Sequence, residues 1–182
     1  TPEEIRQFIV HAIESAELKK IKGRIINFNP KLVDSNRYIS RLGKGSFGGK
    51  GRGMAFLSNF IENVDFKKLI PNLPIAIPKT AIIGVDEFDH FIDNNNLSEI
   101  AYSDKSYEEI KEAFIQAELT PCLKEKLRNY LEVMKKPLAV RSSGLFEDSL
   151  SQPFAGVYST YLIPNNDADM VRRALELEKA IK

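Results

Sequence analysis

Ala139-Val140-Arg141-Ser142-Ser143-Gly144 is the stretch that decides the fold. An apolar run enters it, ends at an arginine, and meets small hydroxyl residues and a glycine. It reads as a buried strand that delivers one guanidinium and several backbone N–H groups to a cleft. The guanidinium can hold two phosphate oxygens in its planar fork. Ser142, Ser143 and Gly144 can offer hydroxyls and amides. Glu147 and Asp148 follow closely, so an ion pair of Arg141 at a sheet edge is the competing structural account. Phe154-Ala155-Gly156 supplies a second small-residue turn, able to lie over a nucleotide.

Upstream, residues 41–53 hold six of the ten glycines: Gly43, Gly45, Gly48, Gly49, Gly51 and Gly53. They also hold Arg41, Lys44, Lys50 and Arg52, and no acid. Glycines let the backbone approach a ligand and turn its N–H groups inward. A lysine among them adds a flexible point charge. Met54, Leu57, Ser58 and Ile61 then show helical spacing, and a helix start adds partial positive charge. These are the components of a phosphate cradle. No Gly-Lys-Ser/Thr follows Gly45 at Walker spacing. No clear strand leads into the segment, which argues against a dinucleotide fingerprint. By itself the segment also fits a flexible basic loop, or a glycine–arginine stretch that touches RNA.

The rest of the chain supplies the frame. Residues 1–20 read as an amphipathic helix with Thr1 and Glu4 as a capping box, Pro2 in the first turn, and Ile5, Phe8, Ile9, Ala12, Ile13 and Ala16 on one stripe. Its expected role is that of a core or linker helix. Residues 24–28 suit a short strand. Residues 75–83 suit a longer one, with Pro78 favouring an edge or bulge. Helices are expected over 85–94, 106–118, 120–134 and from Asp167 onward. In the 120–134 helix, Leu123, Leu127, Tyr130, Leu131 and Met134 form the buried stripe. Residues 138–140 form a short strand with 154–163 as its neighbour.

Composition sets the outer limits. The 182 residues are 43% hydrophobic and 28% charged, as in an ordinary globular chain that can bury a core. A net charge of +1 gives no overall field for nucleic acid or an anionic membrane, so any anion selectivity is local. The single Cys122 rules out an internal disulfide and fits a cytoplasmic protein. No apolar run approaches the roughly 20 residues of a membrane span. The opening Thr1-Pro2-Glu3-Glu4 is no signal peptide and lacks a methionine, which fits a piece of a longer protein.

Ordered motifs sharpen this picture. Gly48-Gly49-Lys50-Gly51 is followed about ninety residues later by Ala139-Val140-Arg141-Ser142-Ser143. Then come Glu147-Asp148-Ser149, Phe154-Ala155-Gly156 and Thr160-Tyr161-Leu162. Ile77-Pro78-Lys79-Thr80 and the phenylalanine-bearing helix after it fit the same series. The set resembles the nucleotide-binding domain of the pyruvate phosphate dikinase and phosphoenolpyruvate synthase family, over residues 33–165 or so. The resemblance implies an α+β fold: the first lobe of an ATP-grasp-like domain at 33–182, with a mixed sheet flanked by helices, after a helix and linker at 1–32. It implies ATP as cofactor, with Lys50 and Arg141 as catalytic groups on its phosphates from opposite sides. Gly48, Gly49, Ser142, Ser143, Phe154, Ala155 and Gly156 complete the implied binding set. It further implies that ATP phosphorylates a histidine on a neighbouring domain of the full-length chain. The phosphoryl group then passes to pyruvate or a related acceptor.

Some features depart from the family pattern. Pro153 stands where a serine is usual, and Gly144 where an alanine is common. A second lobe, with the acidic Mg2+ ligands, and the acceptor histidine domain are expected elsewhere in a longer protein. His11 and His90 lack the surroundings of a phosphocarrier site and read as surface or packing residues. Asp86, Glu87 and Asp89 lack the spacing of a calcium loop and read as a solvated helix start. Cys122, in a helix's first turn, has no partner histidine in view and reads as inert. Two other functions stay open: a non-catalytic nucleotide-binding regulatory module, and nucleic-acid binding through residues 41–53. Near-neutral charge and the lack of aromatics other than Phe47 count against the latter.

Overall fold

A computed structural model of the chain describes residues 1–20, 23–30, 39–144 and 158–182. Five strands and eight helices follow in order among them. They are α1 (Pro2–Lys20), β1 (Ile25–Asn27), β2 (Ile39–Leu42), α2 (Gly49–Asn63), α3 (Phe66–Leu69), β3 (Ala81–Ile83), α4 (Val85–Asn94), α5 (Leu97–Ala101), α6 (Tyr107–Gln116), α7 (Pro121–Val133), β4 (Leu138–Arg141), β5 (Thr160–Ile163) and α8 (Met170–Ile181).

The strands form two sheets. β1, β2 and β3 are parallel in the order β1-β2-β3, and β4 and β5 are an antiparallel pair. The fold is α+β, with parallel and antiparallel sheets flanked by helices. The single mixed sheet expected from the sequence is thereby corrected, since β3 lies in one sheet and β4 and β5 in the other. The strand expected over 75–83 is also shorter. Residues 71–79 join no strand among the described residues; Thr80 O accepts from Ser40 N–H at 3.0 Å and the strand itself begins at Ala81. Pro78 has no N–H to give a ladder, and Pro74 stands just before the stretch.

β2 went unread in the sequence. Ile-Ser-Arg-Leu lacks the apolar run of a central parallel strand. Tertiary contacts make it one: Ile39, Ser40 and Leu42 are buried. Register sets Asn27, Arg41 and Ile82 side by side, and Arg41 Nε and Nη2 donate to Asn27 Oδ1 at 3.0 and 2.9 Å. Arg41 is therefore held in a sheet and is not a cation of the glycine-rich loop. Strand alternation turns Leu42, Ala81 and Ile83 to the other face, onto the main core. That core joins them to Phe91, Leu97, Leu119, Leu127, Ile163 and Leu177.

Helices 85–94, 106–118, 120–134 and the C-terminal one form as expected, within a few residues. α7 buries Leu123, Leu127, Tyr130, Leu131 and Met134. Its start is capped by Thr120, whose Oγ1 accepts from Leu123 N–H at 3.1 Å. α6 begins with a full capping box between Ser106 and Glu109. Hydrogen bonds from the Ser106 hydroxyl and backbone hold the Glu109 carboxyl below its usual range. α1 forms with its Thr1–Glu4 box, but its stripe does not enter the core. Phe8 is 74% exposed, and Ile5, Ile9 and Ile13 are exposed too.

Candidate functional site

The glycine-rich segment leaves β2 and divides into two parts. Its first part packs on the start of α4. Gly43 and Gly45 adopt φ of 97° and 85°, where an L side chain is strained. A Cβ on Gly43 would also stand 2.6 Å from Glu87 Cγ, and one on Gly45 would stand 2.0 Å from Asp86 Oδ1. Gly84 N–H donates to Leu42 O at 3.2 Å and Val85 N–H to Ser46 O at 3.1 Å. Glu87 is buried and accepts from Thr120 Oγ1 at 2.8 Å, which ties α4 to the cap of α7. The acidic cluster is thus corrected: Glu87 is a buried structural acceptor, while Asp89 is exposed.

The second part, Gly48-Gly49-Lys50-Gly51, forms the start of α2 and meets the loop after β4. Gly48 is the N-cap and has no side chain to cap with. Ser143 supplies the missing cap from 92 residues away: Gly51 N–H donates to its Oγ at 2.9 Å. Gly49 N–H donates to Gly144 O at 3.3 Å. A Cβ on Gly48 would stand 1.1 Å from Ser143 O, although φ −66° and ψ −174° suit any residue. Gly48 is small because another backbone occupies that space.

Arg141 ends β4 and pairs with Thr160. The strand is half-buried, not buried as the sequence suggested: Leu138 and Val140 face inward, and Ala139 and Arg141 are exposed. Only one residue separates Arg141 from Ser143, so their Cα atoms lie within about 7 Å. The guanidinium is therefore borne at the strand end from which the loop touching the start of α2 departs. Lys50 and Ser142 are half-buried at that junction. Phe154, Ala155 and Gly156, with Glu147 and Asp148, lie outside the described residues. Sequence reasoning grouped the two elements as one site but missed their contact, because nothing in either segment signals a partner 92 residues distant.

The remaining candidates fall away from this junction. His90 is exposed on α4, and Cys122 is exposed in the first turn of α7. The side chain of His11 is outside the described set. Among the described residues no cluster of His, Cys, Asp or Glu could hold a metal ion. No helix among them is long and apolar enough to cross a membrane.

An α+β domain has here joined a glycine-rich helix start to an arginine–serine strand end. Residues 44–179 match the family model of the pyruvate phosphate dikinase AMP/ATP-binding domain. The chain belongs to that family, and membership supports nucleotide binding and a phosphotransferase-related role for the full-length protein. No curated protein and no solved structure matches the chain.

Proposed function

We propose that this chain is the first lobe of an ATP-grasp-like nucleotide cleft in a dikinase. Lys50 and Arg141 neutralise the ATP phosphates. The amides of Gly48 and Gly49, with Ser142 and Ser143, orient them, and the turn at Phe154, Ala155 and Gly156 covers them. The phosphoryl group passes to a histidine nitrogen on a neighbouring domain and from there to pyruvate or a related acceptor. Protein catalysis of such transfers is mostly positioning and charge neutralisation, which suits this donor set. Mg2+, held by acids of a second lobe, would supply further charge neutralisation.

The observation that carries this reading is the junction itself. A helix start rich in small residues and a strand-end arginine loop converge although 92 residues separate them. Helix N-terminal amides, a lysine and a guanidinium are a polyphosphate-binding set by chemistry. The RNA alternative loses Arg41, which is engaged with Asn27.

Calorimetry of ATP binding tests the proposal on the full-length protein, with Lys50→Ala and Arg141→Ala. Each removed cation forfeits charged hydrogen bonds of about 1.5–3 kcal/mol, so each variant binds ATP roughly tenfold or more weakly. Wild-type affinity in both variants refutes the assignment.

A further inference from the structure

Two amides at the start of α2, one of them in the proposed cradle, are already occupied in this conformation. Gly51 N–H is spent on Ser143 Oγ at 2.9 Å, and Gly49 N–H on Gly144 O at 3.3 Å. Ser143 O also fills the space over Gly48, where even a methyl group would collide. An anion cannot take these amides while the loop holds them. A phosphate oxygen is the stronger acceptor, because its bonds are charge-assisted. The neutral Ser143 hydroxyl is therefore a cap that phosphate can displace.

We propose that Ser143 and Gly144 form a latch on the α2 N-terminus that must release before the phosphates of a nucleotide can seat. This rests on the nucleotide reading above and adds a conformational step to it. Only the unlatched fraction is competent, so apparent affinity falls by that fraction. Release frees Gly51 N–H and Gly49 N–H together with the Ser143 hydroxyl. The groups that close the latch are then the groups available to the phosphates.

Gly48 supports the assignment independently. Its own backbone needs no glycine, and an N-cap is served best by Ser, Thr, Asp or Asn, whose side chains can accept from the helix amides. A capping side chain there would collide with Ser143 O and hold the loop away. Glycine at 48 and serine at 143 thus divide one capping job across two segments. That division allows the cap to come off without unwinding the helix.

Rapid mixing with a fluorescent methylanthraniloyl ATP, on the full-length protein, tests the latch. In wild type the observed rate is expected to level off as nucleotide rises, at the rate of release. Ser143→Ala removes one neutral hydrogen bond and raises that plateau about fivefold, equivalent to about 1 kcal/mol. Gly48→Ala displaces the loop sterically and removes the plateau. In nitrogen-15 spectra, Gly51 amide exchange rises in Ser143→Ala without nucleotide, which confirms a folded variant with the bond broken. A wild-type rate that climbs linearly overturns the latch and leaves nucleotide binding intact. So does a plateau that Ser143→Ala does not move. Failure of all three proteins to bind the analogue overturns both the latch and the nucleotide reading.

Discussion

Arg173 is 5% exposed on α8, and among the described residues no carboxylate pairs with it. Its charge is met by backbone. Nη2 donates to Leu131 O at 2.8 Å and Met134 O at 2.9 Å, both at the C-terminal end of α7, where the helix dipole favours a cation. Nε donates to Asn165 Oδ1 at 2.8 Å. Asn165 is itself buried with φ 55°, and its Nδ2 donates to Met134 O and Lys136 O. The clamp fixes the turn between α7 and β4. Arg173→Met keeps most of the volume and deletes three bonds from a charged donor, a gross loss of about 5–9 kcal/mol. Removing the buried charge returns several kcal/mol of desolvation. Met134 O keeps Asn165 as a donor, and Leu131 O keeps Lys135 Nζ at 3.3 Å. Only Asn165 Oδ1 is left with no other donor among the described residues, so the net destabilisation is about 2–4 kcal/mol. That is a large share of the roughly 5–15 kcal/mol that holds a domain together.

Urea unfolding measures it as a lower midpoint at unchanged slope. Arg172→Met is the internal control. Arg172 is its exposed neighbour, 3.7 Å from Asp167, and its loss should stay within about 0.5 kcal/mol of wild type. Arg173→Lys should fall between the two, since one ammonium cannot span the same acceptors. If Arg173→Met unfolds with the midpoint of Arg172→Met, the clamp contributes nothing net to stability.

Two further substitutions bear on α2. Gly53→Ala should stabilise the protein by about 1 kcal/mol in thermal unfolding, because Gly53 is an exposed interior helix position with nothing among the described residues within 4 Å of an added Cβ; a fall in melting temperature would contradict this. Ser58→Ala should also stabilise, by about 1 kcal/mol or more in urea unfolding, because Ser58 is 1% exposed and its Oγ has no hydrogen-bond partner among the described residues; destabilisation would mean that the hydroxyl has a partner in solution.

Local chemistry was legible in the chain, and remote pairing was not. α7 could be read because its cap, its proline and its 3.6-residue stripe all lie within fifteen residues or so. β4 could be read from three apolar residues ahead of an arginine. β2 could not, since its buried Ser40 and its paired Arg41 look polar until β1 and β3 flank them. Asn165 and Arg173 could not either: they act on carbonyls 29 to 42 positions away, and carbonyls have no sequence signature. The apolar stripe of α1 was legible as a pattern, yet pattern alone does not say what covers it. In the site, residue types were readable. That Ser143 caps Gly51 was not, because the absence of a capping side chain at Gly48 becomes visible only once the helix start is known.

These remote contacts form a closed circuit around α7. At its N-terminus Thr120 bonds Glu87, and Glu87 packs where Gly43 leaves β2. From Gly43 the chain runs to the start of α2, and Ser143 caps that start. From Ser143 the chain leads back through Arg141 and β4 to the other end of α7, which Arg173 and Asn165 clamp. Each of the two elements that meet at the Ser143–Gly51 contact is therefore set by one end of the same helix, thirteen residues long. A helix is stiff over that length, so the spacing of the two elements is fixed everywhere except where they touch. The contact of Ser143 and Gly144 with Gly51 and Gly49 is the weakest link in the circuit, being made of two neutral bonds where the others involve Glu87 and Arg173. A ligand that must part the two elements would open the circuit there, leaving α7 and its two anchors undisturbed.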